Sequence, residues 1–88
     1  MSNLTFFDTL TKLSVWNKGS PIAGYLPTIY RRDRFGTAMK FSDHGNTNSD
    51  YGWEIDHILP VAKGGSDNIV NLEPLNWKNN RSKSDRLV

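Results

Sequence analysis

Past the midpoint of an 88-residue chain, Asp56 and His57 stand side by side, followed by Asn71 and then by Asn76, Asn80 and Lys83 at i, i+4, i+7. On a helix those last three share a face. Hydrolysis of a phosphodiester needs a hard cation held by oxygen ligands, a base that activates water, and positive charge for the phosphate. Asp56 and Asn80 can supply oxygens, His57 a base, and Lys83 or Arg81 the charge. One carboxylate and one amide make a sparse cage. Magnesium, however, commonly takes one or two carboxylates and completes its shell with water and substrate phosphate. Metal is therefore expected to bind weakly to the chain alone and better with substrate.

These residues need elements to carry them. Residues 53–59 read as a strand stopped by Pro60. Residues 63–68, Lys-Gly-Gly-Ser-Asp-Asn, form a turn, because Gly-Gly supplies positive φ and Asp-Asn the side-chain-to-backbone bonds of tight turns. Residues 69–72 suggest a second strand. Pro74 suits the first turn of a helix, and residues 75–83 contain nothing to break one. The order strand, loop, strand, helix can bring the polar residues together, with one restriction. Successive strand side chains face opposite ways, so Asp56 and His57 serve one phosphate only through a twist or at the strand's edge.

Upstream, Phe6, Leu10 and Leu13 recur at i, i+4, i+7 with Phe7 beside them, which predicts a short amphipathic helix over residues 5–13 whose apolar face joins the core. From residue 16 to 50 turn signals dominate, with residues 34–41 read as extended. A chain of this length buries little core, and without cysteine it has no disulfide. Two histidines alone do not complete a Cys-rich zinc site. The ten aromatic residues, with Trp16, Trp53 and Trp77 among them, must carry much of the apolar burial.

The net charge of +2 is small, but it is unevenly distributed. Residues 28–41 set Arg31, Arg32, Arg34 and Lys40 against Asp33 alone, and residues 78–88 set Lys78, Arg81, Lys83 and Arg86 against Asp85. Between them, residues 42–56 hold Asp43, Asp50, Glu54 and Asp56 with no Lys or Arg. Two basic segments around an acidic one suit a polyanion at the flanks and a cation in the middle, although mixed surface charge gives the same pattern. No apolar run approaches a membrane span and the start lacks a basic leader, so no membrane contact and a cytoplasmic location are expected.

Trp53-Glu54-Ile55-Asp56-His57-Ile58-Leu59-Pro60, then Gly64-Gly65-Ser66-Asp67, Asn71-Leu72 and Asn80-Arg81-Ser82-Lys83, resemble the HNH endonuclease motif on its ββα-metal finger. Arg32-Asp33-Arg34-Phe35-Gly36 and Tyr51-Gly52 look like the segment that precedes the motif in some small members. The resemblance implies that His57 is the general base and that Asp56 and Asn80 bind a divalent metal, Mg2+ first, with Mn2+ or another divalent ion as alternatives. Asn71 would hold the loop and fix the His57 ring, while Lys83 contacts phosphate. Arg81, Arg31, Arg32 and Arg34 are further candidate nucleic-acid contacts, though a solvated basic turn explains the last three as well. His44 reads as a solvated loop residue rather than a third ligand. Many members carry Cys-x-x-Cys where this chain has Asn76 and Asn79. No structural zinc is therefore expected, and Trp77, Trp53 and the N-terminal aromatics are the expected brace.

The expected fold is α+β, a single domain over residues 1–88. A short N-terminal helix and loop-rich brace would occupy residues 1–50, and the finger residues 51–86. The expected activity is metal-dependent hydrolysis of DNA, rather than RNA, by nicking or double-strand cleavage with low sequence specificity, leaving 5′-phosphate and 3′-hydroxyl ends. Two alternatives stay open: a catalytically inactive nucleic-acid-binding module of the same fold, and a structural subunit of a phage or mobile-element assembly. Homodimerisation or a larger partner is also left open.

Overall fold

A computed structural model describes residues 7–83. Helix α1 (Thr9–Trp16) leads into strands β1 (Ser20–Pro21), β2 (Tyr30–Arg32) and β3 (Ala38–Lys40), followed by β4 (Trp53–His57), β5 (Leu72–Asn76) and helix α2 (Trp77–Lys83). Strands β1, β2 and β3 form one antiparallel sheet in that order, and β4 pairs with β5 in a second. The chain is thus α+β, with a β4–β5–α2 finger in its C-terminal half.

Helix α1 starts where Asp8 caps it, with Asp8 Oδ1 accepting from the Thr11 N–H at 2.8 Å. It runs to Trp16, three residues past the expected end; positions 5 and 6 lie outside the described residues. Leu10 and Leu13 do not enter the core as expected, whereas Phe7 packs against it and Phe6 lies outside the described residues. Leu10 is 75% exposed and Leu13 is exposed too, while Val15 and Trp16 in the last turn are buried. Trp16 decides this, because its ring lies 5.0 Å from Trp53 and 5.3 Å from Phe41 while its indole N–H donates to Pro27 O at 2.9 Å. Val15, Trp16, Met39, Trp53 and Leu72 form the core, with Phe7, Phe41 and Ile55 packed against it. A fully buried Trp removes enough apolar area for roughly 4–6 kcal/mol, so Trp16 and Trp53 carry a large share of this small core.

Two elements depart from the sequence expectation. Residues 69–71 form a 3-10 turn and the strand begins only at Leu72, so Pro74 lies within β5 opposite Ile55 rather than in a helix. A two-stranded ribbon tolerates this, since each strand has an unpaired outer edge where the missing N–H costs nothing. The expected helix face of Asn76, Asn80 and Lys83 is corrected accordingly: Asn76 ends β5, and only Asn80 and Lys83 lie on α2.

The positions at which the resembled family carries cysteines are joined here by a carboxylate. Asp33, 3% exposed, accepts from the Asn76 N–H at 3.0 Å and from Asn79 Nδ2 at 2.8 Å through Oδ2. Its Oδ1 accepts from the N–H groups of Phe35 and Thr37, both at 3.0 Å. Asn76 Nδ2 also donates to Ala38 O (3.0 Å) and Asp50 O (2.8 Å), and Asn79 Nδ2 to Thr37 Oγ1 (2.9 Å). The N-terminal sheet is thereby bonded to the base of the finger. Of the expected aromatic brace, Trp53 sits in the core, whereas Trp77 is half-buried and donates Nε1 to Ser49 O at 2.7 Å.

Candidate active site

The register of β4 with β5 sorts the site residues onto two faces. Glu54 faces Leu75 and Asp56 faces Glu73, while Trp53, Ile55 and His57 pair with Asn76, Pro74 and Leu72. Since side chains alternate along a strand, Glu54, Asp56 and Glu73 share one side of the ribbon. Helix α2 covers that side. Asn80 Nδ2 donates to Glu54 Oε1 at 2.7 Å, Arg81 Nη2 to Glu54 Oε2 at 3.0 Å, and Lys83 Nζ to Asp56 Oδ2 at 2.7 Å. Asn80 and Lys83, nearly one turn apart, thus each meet one of two carboxylates two residues apart on β4. The Asn80 amide bond to Glu54 leaves its oxygen as the atom available for a cation.

His57 turns to the other side. Its ring centroid lies 6.0 Å from that of Phe7, and Nε2 is 2.7 Å from Asp67 Oδ1. The histidine side chain is 14% exposed and that of Asp67 60%. The loop carrying Asp67 is drawn closed by Asn71, whose Oδ1 accepts from the Leu59 N–H (2.8 Å) while Nδ2 donates to Leu59 O (3.1 Å) and Ser66 O (2.8 Å). Asn71 makes no hydrogen bond to the His57 ring, contrary to the sequence expectation. It holds the loop, and Asp67 holds the ring. The two glycines of this loop serve different ends. Gly64 adopts φ 95°, whereas a Cβ on Gly65 would stand 1.7 Å from Leu59 O.

Asp56 and His57 therefore diverge as strand alternation requires, and a group served by both must lie off the end or edge of the ribbon. The strand stops there, since β4 ends at His57.

Glu73 had no role in the sequence reading, and only the strand register reveals its place. It is 7% exposed, and its Oε1 accepts from Arg34 Nε at 2.8 Å. Its Oε2 is buried without a hydrogen-bond partner. Burial raises the Glu73 pKa above its ordinary value, and the facing Asp56 carboxyl adds to the rise, against the pull of Arg34. The two carboxylates cannot form a hydrogen bond to each other unless one is protonated.

The basic residues are already engaged. Arg31 does not present itself to solvent as a free cation: it donates to Pro27 O at 3.0 Å and Gly19 O at 2.7 Å, tying turns together. Arg32 donates to Gly36 O at 3.0 Å. Lys18, not singled out in the sequence, donates to Ile69 O and, at 2.7 Å, to Leu72 O at the start of β5. Lys18, Arg32 and Arg34 line a cleft of about 230 Å³ that Glu73 also borders. His44 is exposed as a residue but packs its ring 4.7 Å from that of Trp53; partial desolvation of the ring there, then Lys12, lowers its pKa, while Glu54 opposes the shift.

A family model described as HNH endonuclease matches residues 40–86, more than half the chain. No curated protein and no solved structure matches it. The matched stretch contains Asp56, His57, Asp67, Asn71, Glu73, Asn80 and Lys83, while Asp33 and Arg34 lie before it. Among the described residues no three His, Cys, Asp or Glu side chains form a group able to hold a metal, and no helix is long and apolar enough to cross a membrane.

Proposed function

The chain belongs to the HNH endonuclease family, and from that premise we propose that it is a metal-dependent endonuclease hydrolysing DNA phosphodiester bonds with little sequence preference. Membership points to nuclease activity in general, and such nucleases typically use a divalent metal and act on nucleic acid. The observation that carries the finer reading is the end of β4. There Asp56 is held by Lys83 from α2, and His57, on the opposite side, is held by Asp67.

His57 is the general base. With Nε2–H donated to Asp67, Nδ1 is the nitrogen left to accept a proton from the attacking water. The water oxygen forms a bond to phosphorus, the bond from phosphorus to the 3′ oxygen breaks, and solvent protonates the released oxygen. The ends are a 5′-phosphate and a 3′-hydroxyl. Asp56 and Asn80 would hold the metal, their hard oxygens suiting Mg2+ or Mn2+; Glu73 Oε2, on the same side, is buried with no hydrogen-bond partner. When bound, a divalent ion supplies Lewis acidity to the phosphate and to the leaving oxygen. Lys83 and Arg81 exchange their carboxylate partners for substrate phosphate, as does Arg34, which lines the cleft beside Glu73. Contacts of this kind fix position on a backbone without reading sequence.

Nicking of supercoiled plasmid with Mg2+ or Mn2+, comparing wild type with His57→Ala, tests the reading. Removing a general base costs roughly 10²- to 10⁴-fold. Wild-type nicking that disappears in the variant supports the assignment. Intact plasmid in every metal, with DNA still bound, would leave the inactive binding module as the better description.

A further inference from the structure

We propose that Glu73 is a carboxylate ligand of the catalytic metal, sharing it with Asp56 across the β4–β5 ribbon. This rests on the metal-dependent reading above and names a ligand that the sequence motif does not contain. The register sets Glu73 directly opposite Asp56, so both carboxylates project to the side covered by α2. Glu73 is 93% shielded, as its 7% exposure implies, and only one of its oxygens is satisfied, by Arg34. The other, Oε2, is the one buried side-chain polar atom among the described residues with no hydrogen-bond partner.

That orphan stands out because the neighbouring buried polar groups are fully engaged. Asp33 accepts four bonds, Asn76 donates from both its backbone and its amide, and Lys83 donates to Asp56 Oδ2 and His57 O. Native proteins rarely bury an acceptor without a donor, and an exception calls for an ion or another unseen partner. A second carboxylate facing that acceptor makes a donor hydrogen unavailable unless a proton is trapped, whereas a hard divalent cation satisfies both groups at once. Arg34 meets Glu73 and Lys83 meets Asp56, one basic side chain to each carboxylate. A cation between the carboxylates would weaken both ion pairs and turn the two basic side chains toward phosphate. The turn between β2 and β3 would then act on the metal site directly, through Arg34.

Calorimetric titration of the full chain with Mn2+ tests this, comparing wild type, Glu73→Gln and Asp56→Asn. Glutamine keeps the length of the side chain and an oxygen for Arg34, and circular dichroism reports whether it folds. Outer-shell groups already change metal affinity by roughly 10- to 100-fold, so Glu73→Gln should weaken Mn2+ binding at least about tenfold. A second readout needs no variant: in carboxyl-detected NMR of the wild type, titration with diamagnetic Mg2+ should shift the Glu73 and Asp56 carboxyl signals together. Wild-type Mn2+ affinity in Glu73→Gln with affinity lost in Asp56→Asn, or a Glu73 carboxyl shift that stays unchanged while that of Asp56 moves with Mg2+, would overturn the inference and leave the metal reading standing. No Mn2+ binding by the wild type, with or without duplex DNA, would overturn both.

Discussion

Replacing Asp33 should show that a carboxylate performs the bracing task at the positions where related fingers use cysteines. Its four acceptor contacts divide into two classes. The Phe35 and Thr37 N–H groups belong to a surface turn, and water can reach that turn when the carboxylate is removed, since Phe35 is largely exposed. The Asn76 N–H is buried, and Asn79 Nδ2 lies between Asp33 and Thr37 in the part-buried joint. Hydrogen bonds to a charged group contribute about 1.5–3 kcal/mol each, and a buried donor left unsatisfied costs about 1–3 kcal/mol. Counting only the two contacts that water replaces poorly, Asp33→Ala should cost about 3–5 kcal/mol. Asp33→Asn keeps one acceptor oxygen and should cost about half as much. A domain of this size has a total stability of roughly 4–13 kcal/mol, so the alanine variant should sit close to its unfolding threshold. The assay is urea denaturation followed by tryptophan fluorescence, since Trp16 and Trp53 are both buried. By the same reasoning the asparagine variant should melt about 6–20 °C lower. An Asp33→Ala midpoint equivalent to less than about 0.5 kcal/mol of destabilisation, the range of an ordinary surface substitution, would refute the bracing role.

Three other outcomes follow from the same contacts. Asp67→Asn should lower kcat by about 10- to 100-fold with little change in KM, because it loosens the ring without touching substrate; its exposure argues for the lower end, and an unchanged kcat would remove Asp67 as the positioning group. Gly65→Ala forces a Cβ into Leu59 O, so the loop must open. Activity should fall sharply while stability drops by only about 1–3 kcal/mol, and full activity would contradict the closed loop. The lowered pKa of His44 means that the folded chain binds fewer protons there than the unfolded chain. Its stability contribution is therefore complete above the ordinary histidine value near 6.5 and is lost as pH falls below it toward the folded value. Melting temperature should decline as pH falls below about 6.5, and His44→Gln should flatten that decline; an identical slope in the variant would assign it elsewhere.

The candidate site residues were legible because the motif is local: Asp56 and His57 are adjacent, and Asn80 and Lys83 lie within one short helix. Even the divergence of Asp56 and His57 followed from strand alternation alone. What could not be read is what distant chain segments bring to them. Asp33 reaches Asn76 across 43 positions and Arg34 reaches Glu73 across 39, and no periodicity in the sequence encodes either contact. Asp67 was visible as a turn residue, but its pairing with His57 depends on how Asn71 closes the loop. Strands of two or three residues leave no alternation to detect, so the sheet within residues 16–50 was read largely as loop. Leu10 and Leu13 misled for the converse reason: their spacing is helical, but the bulk of Trp16 decides which part of α1 enters the core.

The most direct test of the central claim is the fate and end chemistry of supercoiled plasmid incubated with the purified chain. The account predicts nicked or linear DNA with Mg2+ or Mn2+, no cleavage with a chelator or with His57→Ala, and nicks that DNA ligase reseals because they carry 5′-phosphate and 3′-hydroxyl ends. Cleavage that persists in His57→Ala or in chelator, or nicks that ligase cannot close, would contradict it.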